Sequence, residues 1–191
     1  MAIFKIPHSI MGVKAKNLSL SGTKRLLKEY QMIREDKSLG IEVRLDESEK
    51  GEEILDSWDL FIDGPINSLY EGYILHAKMT FPTQYPFQPP TFVFISPIYH
   101  PNVYADGTVC ISILHTDQDE IIDADIANCT WTPGLNVRTV CLSIISLLNE
   151  PNIFSAANVD ASKKFRDQIE EYKAEVKKRL DDKCRKINKV L

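Results

Sequence analysis

Trp58-Asp59-Leu60-Phe61-Ile62-Asp63-Gly64-Pro65, followed by Tyr73-Ile74-Leu75-His76-Ala77-Lys78-Met79-Thr80-Phe81, is the stretch that settles the fold class. Trp58, Leu60 and Ile62, then Tyr73, Leu75, Ala77, Met79 and Phe81, recur at every second position, the period of strands with one face in a core. Asp63-Gly64-Pro65 supplies turn chemistry between them. No helix-length segment intervenes, so the two strands are expected to pair antiparallel.

Outward from this pair the pattern extends in both directions. Ile41-Val43-Leu45 alternates upstream, and Thr91 to Ile95 is a short continuous apolar run downstream, which makes a four-stranded meander. Before the sheet, Leu26, Tyr30 and Ile33 recur at helical spacing after Ser21, a candidate N-cap, and predict a helix ending near Lys37 to Gly40. After it, Asn136 is placed to cap a helix whose Val137, Val140, Cys141, Ile144, Ile145, Leu147 and Leu148 leave little polar face, as expected of a helix packed across a sheet. Phe165, Ile169, Tyr172 and Val176 mark two further helices. The order of helix, four strands, long loop and helices predicts an α+β domain. Residues 1–20 are expected to form an N-terminal extension and 21–191 one domain.

Composition sets bounds on function. The 191 residues are 43% hydrophobic and 26% charged, ordinary values for one globular domain. No run approaches the roughly 18 apolar residues of a membrane span, and the N-terminus has no signal-peptide pattern. An intracellular location, cytoplasmic or nuclear, is therefore expected. Cys110, Cys129, Cys141 and Cys184 form no Cys-x-x-Cys pair and read as free thiols; His8, His76, His100 and His115 lack zinc-ligand spacing, so no metal is expected. The net charge of -4 conceals two single-sign patches. Lys5, Lys14, Lys16, Lys24, Arg25 and Lys28 have no acid among residues 1–28, while Asp117, Asp119, Glu120, Asp123 and Asp125 have no base among residues 115–130. Such patches mark a partner or a solvated face. With a sequence pI of about 5.6 and no nucleic-acid motif, nucleic acid is not expected as that partner.

Some forty residues from Ser96 to Leu135 show little periodicity, and a segment of that length inside a compact domain is usually functional. It contains Cys110. Taken alone, a free cysteine reads first as a small buried hydrophobe. Around it, however, stand Phe81-Pro82-Thr83-Gln84-Tyr85-Pro86-Phe87-Gln88-Pro89-Pro90, His100-Pro101-Asn102, Gly107-Thr108-Val109-Cys110 with Ile113-Leu114, and Trp131-Thr132-Pro133. This ordered set resembles the catalytic core of the ubiquitin-conjugating enzymes, and the resemblance covers roughly residues 21 to 180.

The resemblance implies an acyltransferase that accepts ubiquitin from an activating enzyme as a thioester on Cys110. With a RING-type ligase, it would pass ubiquitin to a lysine of a protein substrate or of another ubiquitin. Cysteine suits this role because exchange between thioesters is nearly even in free energy, whereas transfer to an amine yields a stable amide. No bound cofactor is implied, since ATP is consumed by the activating enzyme. Two other readings stay open: a ubiquitin-like modifier as cargo, and a ubiquitin-binding scaffold, although scaffolds of that kind lack the cysteine that is present here.

By the same resemblance Asn102 donates to the developing oxyanion, a contribution of about 3 kcal/mol for one such donor; it also reads as a turn residue bonded to its own loop. His100 is expected to buttress that loop. No Lys, Arg or His lies within four residues of Cys110 to lower a thiol pKa from about 8.5. Many relatives place an acid shortly after a Pro-Asn pair, but Pro151-Asn152-Ile153-Phe154-Ser155 puts Ser155 there, either a phosphorylation-sensitive position or a helix-capping serine.

The 16 residues between Leu114 and Trp131 exceed the minimal family length. Their acidity, with Cys110 to Leu114 and Ser155 to Ser162, resembles the branch that holds the cell-cycle enzyme of cullin-type ligases and the enzymes of endoplasmic-reticulum-associated degradation. Recruitment to the endoplasmic-reticulum surface by a partner belongs to that resemblance. Thr116-Asp117-Gln118 departs from the proline-bearing stretch of those relatives, so only length, place and acidity carry over. Asp117, Asp119, Glu120, Asp123 and Asp125 are then expected to orient an acceptor lysine, with a solvated loop as the alternative. Lys24, Arg25 and Lys28 oppose the opening helix's dipole by about 0.3 to 1 kcal/mol and are expected to meet the activating enzyme. Phe81 and Thr132-Pro133-Gly134 are expected to form the ligase surface, unless Phe81 instead packs at a strand end.

Overall fold

A computed structural model describes residue 13, residues 18–116 and residues 130–187. The order along the chain is α1 (Leu20–Glu35), β1 (Ile41–Glu47), β2 (Glu53–Asp63), β3 (Tyr73–Thr80), β4 (Thr91–Phe94), α2 (Val137–Asn149), α3 (Val159–Asp167), α4 (Ile169–Lys183) and β5 (Arg185–Lys186). The α+β class and the meander agree with the sequence reading: β1 to β4 pair antiparallel in chain order. The two-residue β5, which no periodicity announced, pairs with the start of β3.

Alternation along the strands becomes one dry face. Val43, Leu45, Trp58, Leu60, Ile62, Leu75, Ala77, Met79, Phe92 and Phe94 are buried, in a core shared with Leu26, Tyr30 and Ile33 of α1 and with Val137, Val140, Cys141, Ile144 and Leu148 of α2. Each Val, Leu, Ile, Phe or Met among them contributes about 1.5–3 kcal/mol through loss of apolar surface to water. At the β2–β3 turn, Gly64 is required by close approach, since a Cβ there would lie 1.7 Å from the Tyr70 carbonyl oxygen.

Helix boundaries differ in detail. Ser19, not Ser21, caps α1, its side chain accepting from the Gly22 N–H at 3.1 Å. Ser21 lies inside the first turn, where its hydroxyl meets that of Ser19. The helix stops at Glu35, and a 3-10 turn over Lys37–Leu39 leads to Gly40 at φ 60°. Asn136 caps α2 as expected, accepting from the Thr139 N–H at 3.0 Å.

Candidate active site

Cys110 is placed by a short antiparallel excursion at the sheet's edge. Val103 bridges Val109, Val93 bridges Thr108, and the Val109 N–H donates to the Phe92 carbonyl at 3.1 Å. Gly107 turns the excursion at φ 90°, where a Cβ would lie 2.1 Å from the Phe94 carbonyl oxygen. The Cys110 N–H then donates to the Asn102 carbonyl at 2.9 Å. The segment expected to be irregular is therefore tied to β4 and to itself, and it holds a half-buried thiol in a fixed place.

Two side chains flank the sulfur, and neither was singled out from the sequence. His115 Nε2 lies 3.8 Å from Cys110 Sγ. A 3-10 turn over Ser112–Leu114 folds the chain back, and the His115 N–H donates to the Ser112 carbonyl at 2.9 Å. A search within four residues of the cysteine misses a partner that this turn delivers at the fifth. Tyr104 hydrogen-bonds to Cys110, and the neighbouring sulfur, through its charge first, holds the phenol above its ordinary pKa. Gly107, placed to turn the chain, was the available signal that Tyr104 and Cys110 share one hairpin.

Asn102 is 1% exposed and completely engaged. Its Nδ2 donates to the carbonyls of Asn152 at 2.8 Å and Ser155 at 2.9 Å, and its Oδ1 accepts from the Asn152 N–H at 2.8 Å. Both amide protons are in use, so the oxyanion role that the resemblance implies requires Nδ2 to leave one of these carbonyls. His100 is buried beneath it. Its Nδ1 accepts from the Asn102 N–H at 3.0 Å, which leaves the ring proton on Nε2 to donate to the Leu147 carbonyl of α2, also at 3.0 Å. Burial lowers the His100 pKa to about 4, so the ring is neutral near pH 7.

Ser155 enters this network through its backbone. It does not cap a helix: α3 is capped by Asn158, which accepts from the Ala161 N–H at 3.0 Å. Next to it, Phe154 is 97% exposed. Beyond Cys110, a groove open to solvent is lined by Ile111, Ser112, Thr132, Leu135 and Ser143.

The proposed partner face divides into residues that point outward and residues that hold it together. Lys24, Lys28 and Pro133 are exposed. Arg25 faces inward instead: its guanidinium donates to Glu29 Oε1 at 2.7 Å and to the carbonyls of Pro133 and Leu135, and it stacks on Tyr85. Glu29 is buried and also accepts from the Tyr85 hydroxyl at 2.9 Å and from the Val137 N–H of α2 at 2.8 Å. Phe81 is 6% exposed because it continues the inward register of Leu75, Ala77 and Met79, and its ring packs on Trp58 and Tyr85. The outward aromatic of that segment is Phe87, 74% exposed. Trp131 Nε1 donates to the Pro86 carbonyl at 2.8 Å and joins this loop to Thr132-Pro133-Gly134. Asp117, Asp119, Glu120, Asp123, Asp125 and Cys129 lie outside the described residues, as do nearly all of residues 1–17.

The sequence that folds in this way is similar to known proteins. The profile of the family described as Ubiquitin-conjugating enzyme matches residues 25–180. The chain is 42% identical over 167 residues to the ubiquitin-conjugating enzyme E2 of African swine fever virus (isolate Pig/Kenya/KEN-50/1950), covering 83% of this chain and 72% of the relative. It is 50% identical over 119 residues to ubiquitin-conjugating enzyme E2 7 of Arabidopsis thaliana, with 62% of this chain and 72% of the relative covered. Against the ubiquitin-conjugating enzyme E2-18 kDa of Schizosaccharomyces pombe the identity is 41% over 149 residues, 78% of this chain and 87% of the relative. The chain belongs to the ubiquitin-conjugating enzyme family. Its function is that of the family: a transferase that conjugates ubiquitin through a thioester intermediate, between an activating enzyme and a ligase. Among the described residues no helix is long and apolar enough to cross a membrane.

Proposed function

We propose that Cys110 is the residue that carries ubiquitin as a thioester, and that the carrier delivers it to a lysine amine at the mouth formed by Cys110, Tyr104 and the Asn152–Ser155 segment. The observation that supports this is the thiol itself, half-exposed on a backbone tied to Asn102 and β4, beside an open groove that suits an extended acyl chain. By contrast Cys141 is fully buried in α2, where burial pushes its thiol up to about 12. Asn102 positions the gate, and its amide meets an oxyanion only if the gate loosens.

The ligase surface in this reading is Phe87 with Pro133, joined by Trp131, in place of Phe81. Lys24 and Lys28 form the outward charge for the activating enzyme, and Arg25 supports the loop they flank. Asp117, Asp119, Glu120, Asp123 and Asp125 orient the acceptor lysine, and Ser155 contributes its carbonyl to the gate. Location at the endoplasmic-reticulum surface, and cytoplasm or nucleus otherwise, belongs to the same proposal.

Incubation with activating enzyme, ATP and ubiquitin tests it. The wild type should form a reductant-sensitive adduct, Cys110→Ser a reductant-resistant oxyester, and Cys110→Ala none. An adduct that persists in Cys110→Ala overturns the assignment. In the same assay, replacing the five acids by Asn or Gln should leave charging nearly unchanged but slow transfer to a second ubiquitin, less so at high salt, where screening acts over about 8 Å or less. Equal rates with and without the acids return that loop to a solvated surface.

A further inference from the structure

Asn102 joins two segments, Tyr99-His100-Pro101 on its own side and Asn152–Ser155 across from it. A third element holds both segments as well. From its cap and first turn, α3 reaches each of them with a different residue.

On the Asn102 side, the Asn158 N–H donates to the Pro101 carbonyl at 2.8 Å, and Asp160 accepts from the Tyr99 hydroxyl. On the gate side, the Ser162 hydroxyl donates to the Ile153 carbonyl at 3.3 Å from a position 8% exposed. Tyr99 is itself held from several directions. Its carbonyl accepts from two buried hydroxyls, that of Tyr70 at 3.3 Å and that of Tyr172 at 3.2 Å. Its ring lies 4.5 Å from the Arg179 guanidinium of α4 and 5.6 Å from the Lys164 ammonium of α3. Packing alone would be served by a phenylalanine at this position. The hydroxyl adds a directed bond to a carboxylate on another element, and a bond to an ionised acceptor is roughly twice as strong as a neutral one. Lys164 pairs with Asp160 at 3.4 Å and keeps that carboxylate in place.

We infer that α3 is a clasp that sets the separation of the Asn102 segment from the gate, with Tyr99 and Asp160 as positioning residues for transfer to lysine, an inference that rests on Cys110 as the ubiquitin carrier. Both residues act through Pro101 and Asn102 and not on the reacting atoms. The lysine nitrogen has to come within about 3–3.5 Å of the thioester carbonyl carbon in the right direction, and a misplacement of about 1 Å from a distant change can cost about 100-fold. Because α3 grips both segments, a lost grip shifts one relative to the other. Water, which is small and abundant, attacks the same carbon without needing that separation.

The test is single-turnover discharge of purified Cys110-ubiquitin thioester on the full chain, made with activating enzyme, ATP and ubiquitin, toward free lysine and toward water. Tyr99→Phe keeps the ring and its packing. Together with Asp160→Ala it is expected to lower lysine discharge about tenfold, and loss to water should stay within about threefold of wild type. The double variant should be no more than about twofold slower than either single one, since both cut the same bond. Asp160→Asn retains an oxygen for the Tyr99 hydroxyl and should recover most of the loss. Ser162→Ala, which releases the gate side, should slow lysine discharge about threefold. Wild-type lysine rates in Tyr99→Phe and Asp160→Ala overturn the inference. So do equal losses toward lysine and water, which mark a general structural role, and an Asp160→Asn as slow as Asp160→Ala, which marks the charge and not the bond. Faster lysine discharge also overturns it, because α3 would then be a latch that keeps Asn102 idle. A wild-type chain that never charges on Cys110 overturns the carrier assignment first, a failure visible before any variant is compared.

Discussion

Asn102 and Glu29 each fasten loops to the helical layer from positions at most 6% exposed, yet one junction is neutral and the other is charged. Around Asn102 every partner is a backbone group or the neutral ring of His100. Around Glu29 the carboxylate gathers Arg25, the Tyr85 hydroxyl and the first N–H of α2. The neutral junction stands beside the thiol, and the charged one lies behind the proposed partner face. Buried charge acts over longer range than a buried amide. A neutral brace therefore fixes the gate without placing a full charge against the proposed thioester. At the partner face, where no bond is made or broken, a buried ion pair can hold the Pro133–Leu135 loop to α1.

The two junctions should therefore fail differently. Glu29→Ala leaves Arg25 without its carboxylate and Val137 without its acceptor, and loss of one partner of a buried pair costs about 3–5 kcal/mol. Urea unfolding should show a loss of that size, while thioester discharge by the folded fraction stays near wild type. A loss below about 1 kcal/mol would mean that Glu29 does not hold the face.

Asn102→Ala should have its main effect on rate. Discharge to lysine should fall about 100-fold, equivalent to about 2.7 kcal/mol, while charging survives. Amide exchange separates the two roles assigned to Asn102. Faster exchange at Asn152, whose N–H Asn102 Oδ1 accepts, marks loss of the gate; unchanged protection with the same slow discharge marks a direct oxyanion role.

The smallest effect concerns His100. Its folded pKa is about 4, below the ordinary 6.5, so as pH falls the unfolded chain takes up the proton first. The stability from this group is complete above about pH 6.5 and is lost on descent toward pH 4. Between pH 7 and pH 5 the loss is about 2 kcal/mol. His100→Gln, though less stable throughout, should lack that share of the slope. Parallel curves for the two chains would show that other groups set it.

The sheet was legible because burial on one face of a strand imposes a period of two, and that period is written in Trp58 to Ile62 and in Tyr73 to Phe81. The same period held an answer about Phe81, whose register with Leu75 and Met79 points it inward; Phe87, between Pro86 and Gln88, carries no periodic signal, and its exposure emerges only when Trp131 fixes the loop. Arg25 read as a surface charge because its partners at Pro133 and Leu135 lie more than a hundred residues away.

The sequence by itself determined the α+β class, the family and the cysteine on which the proposed chemistry turns. These depend on local periodicity and on ordered motifs, which a linear chain records directly. Only the tertiary structure decided that Asn102 has no spare proton, that Ser155 acts through its carbonyl, and that His115 stands at the sulfur. Hydrogen bonding is a matter of angle and separation over a few ångströms, and those separations arise from a turn, a hairpin and a loop meeting in space, with no imprint on the spacing of residues along the chain.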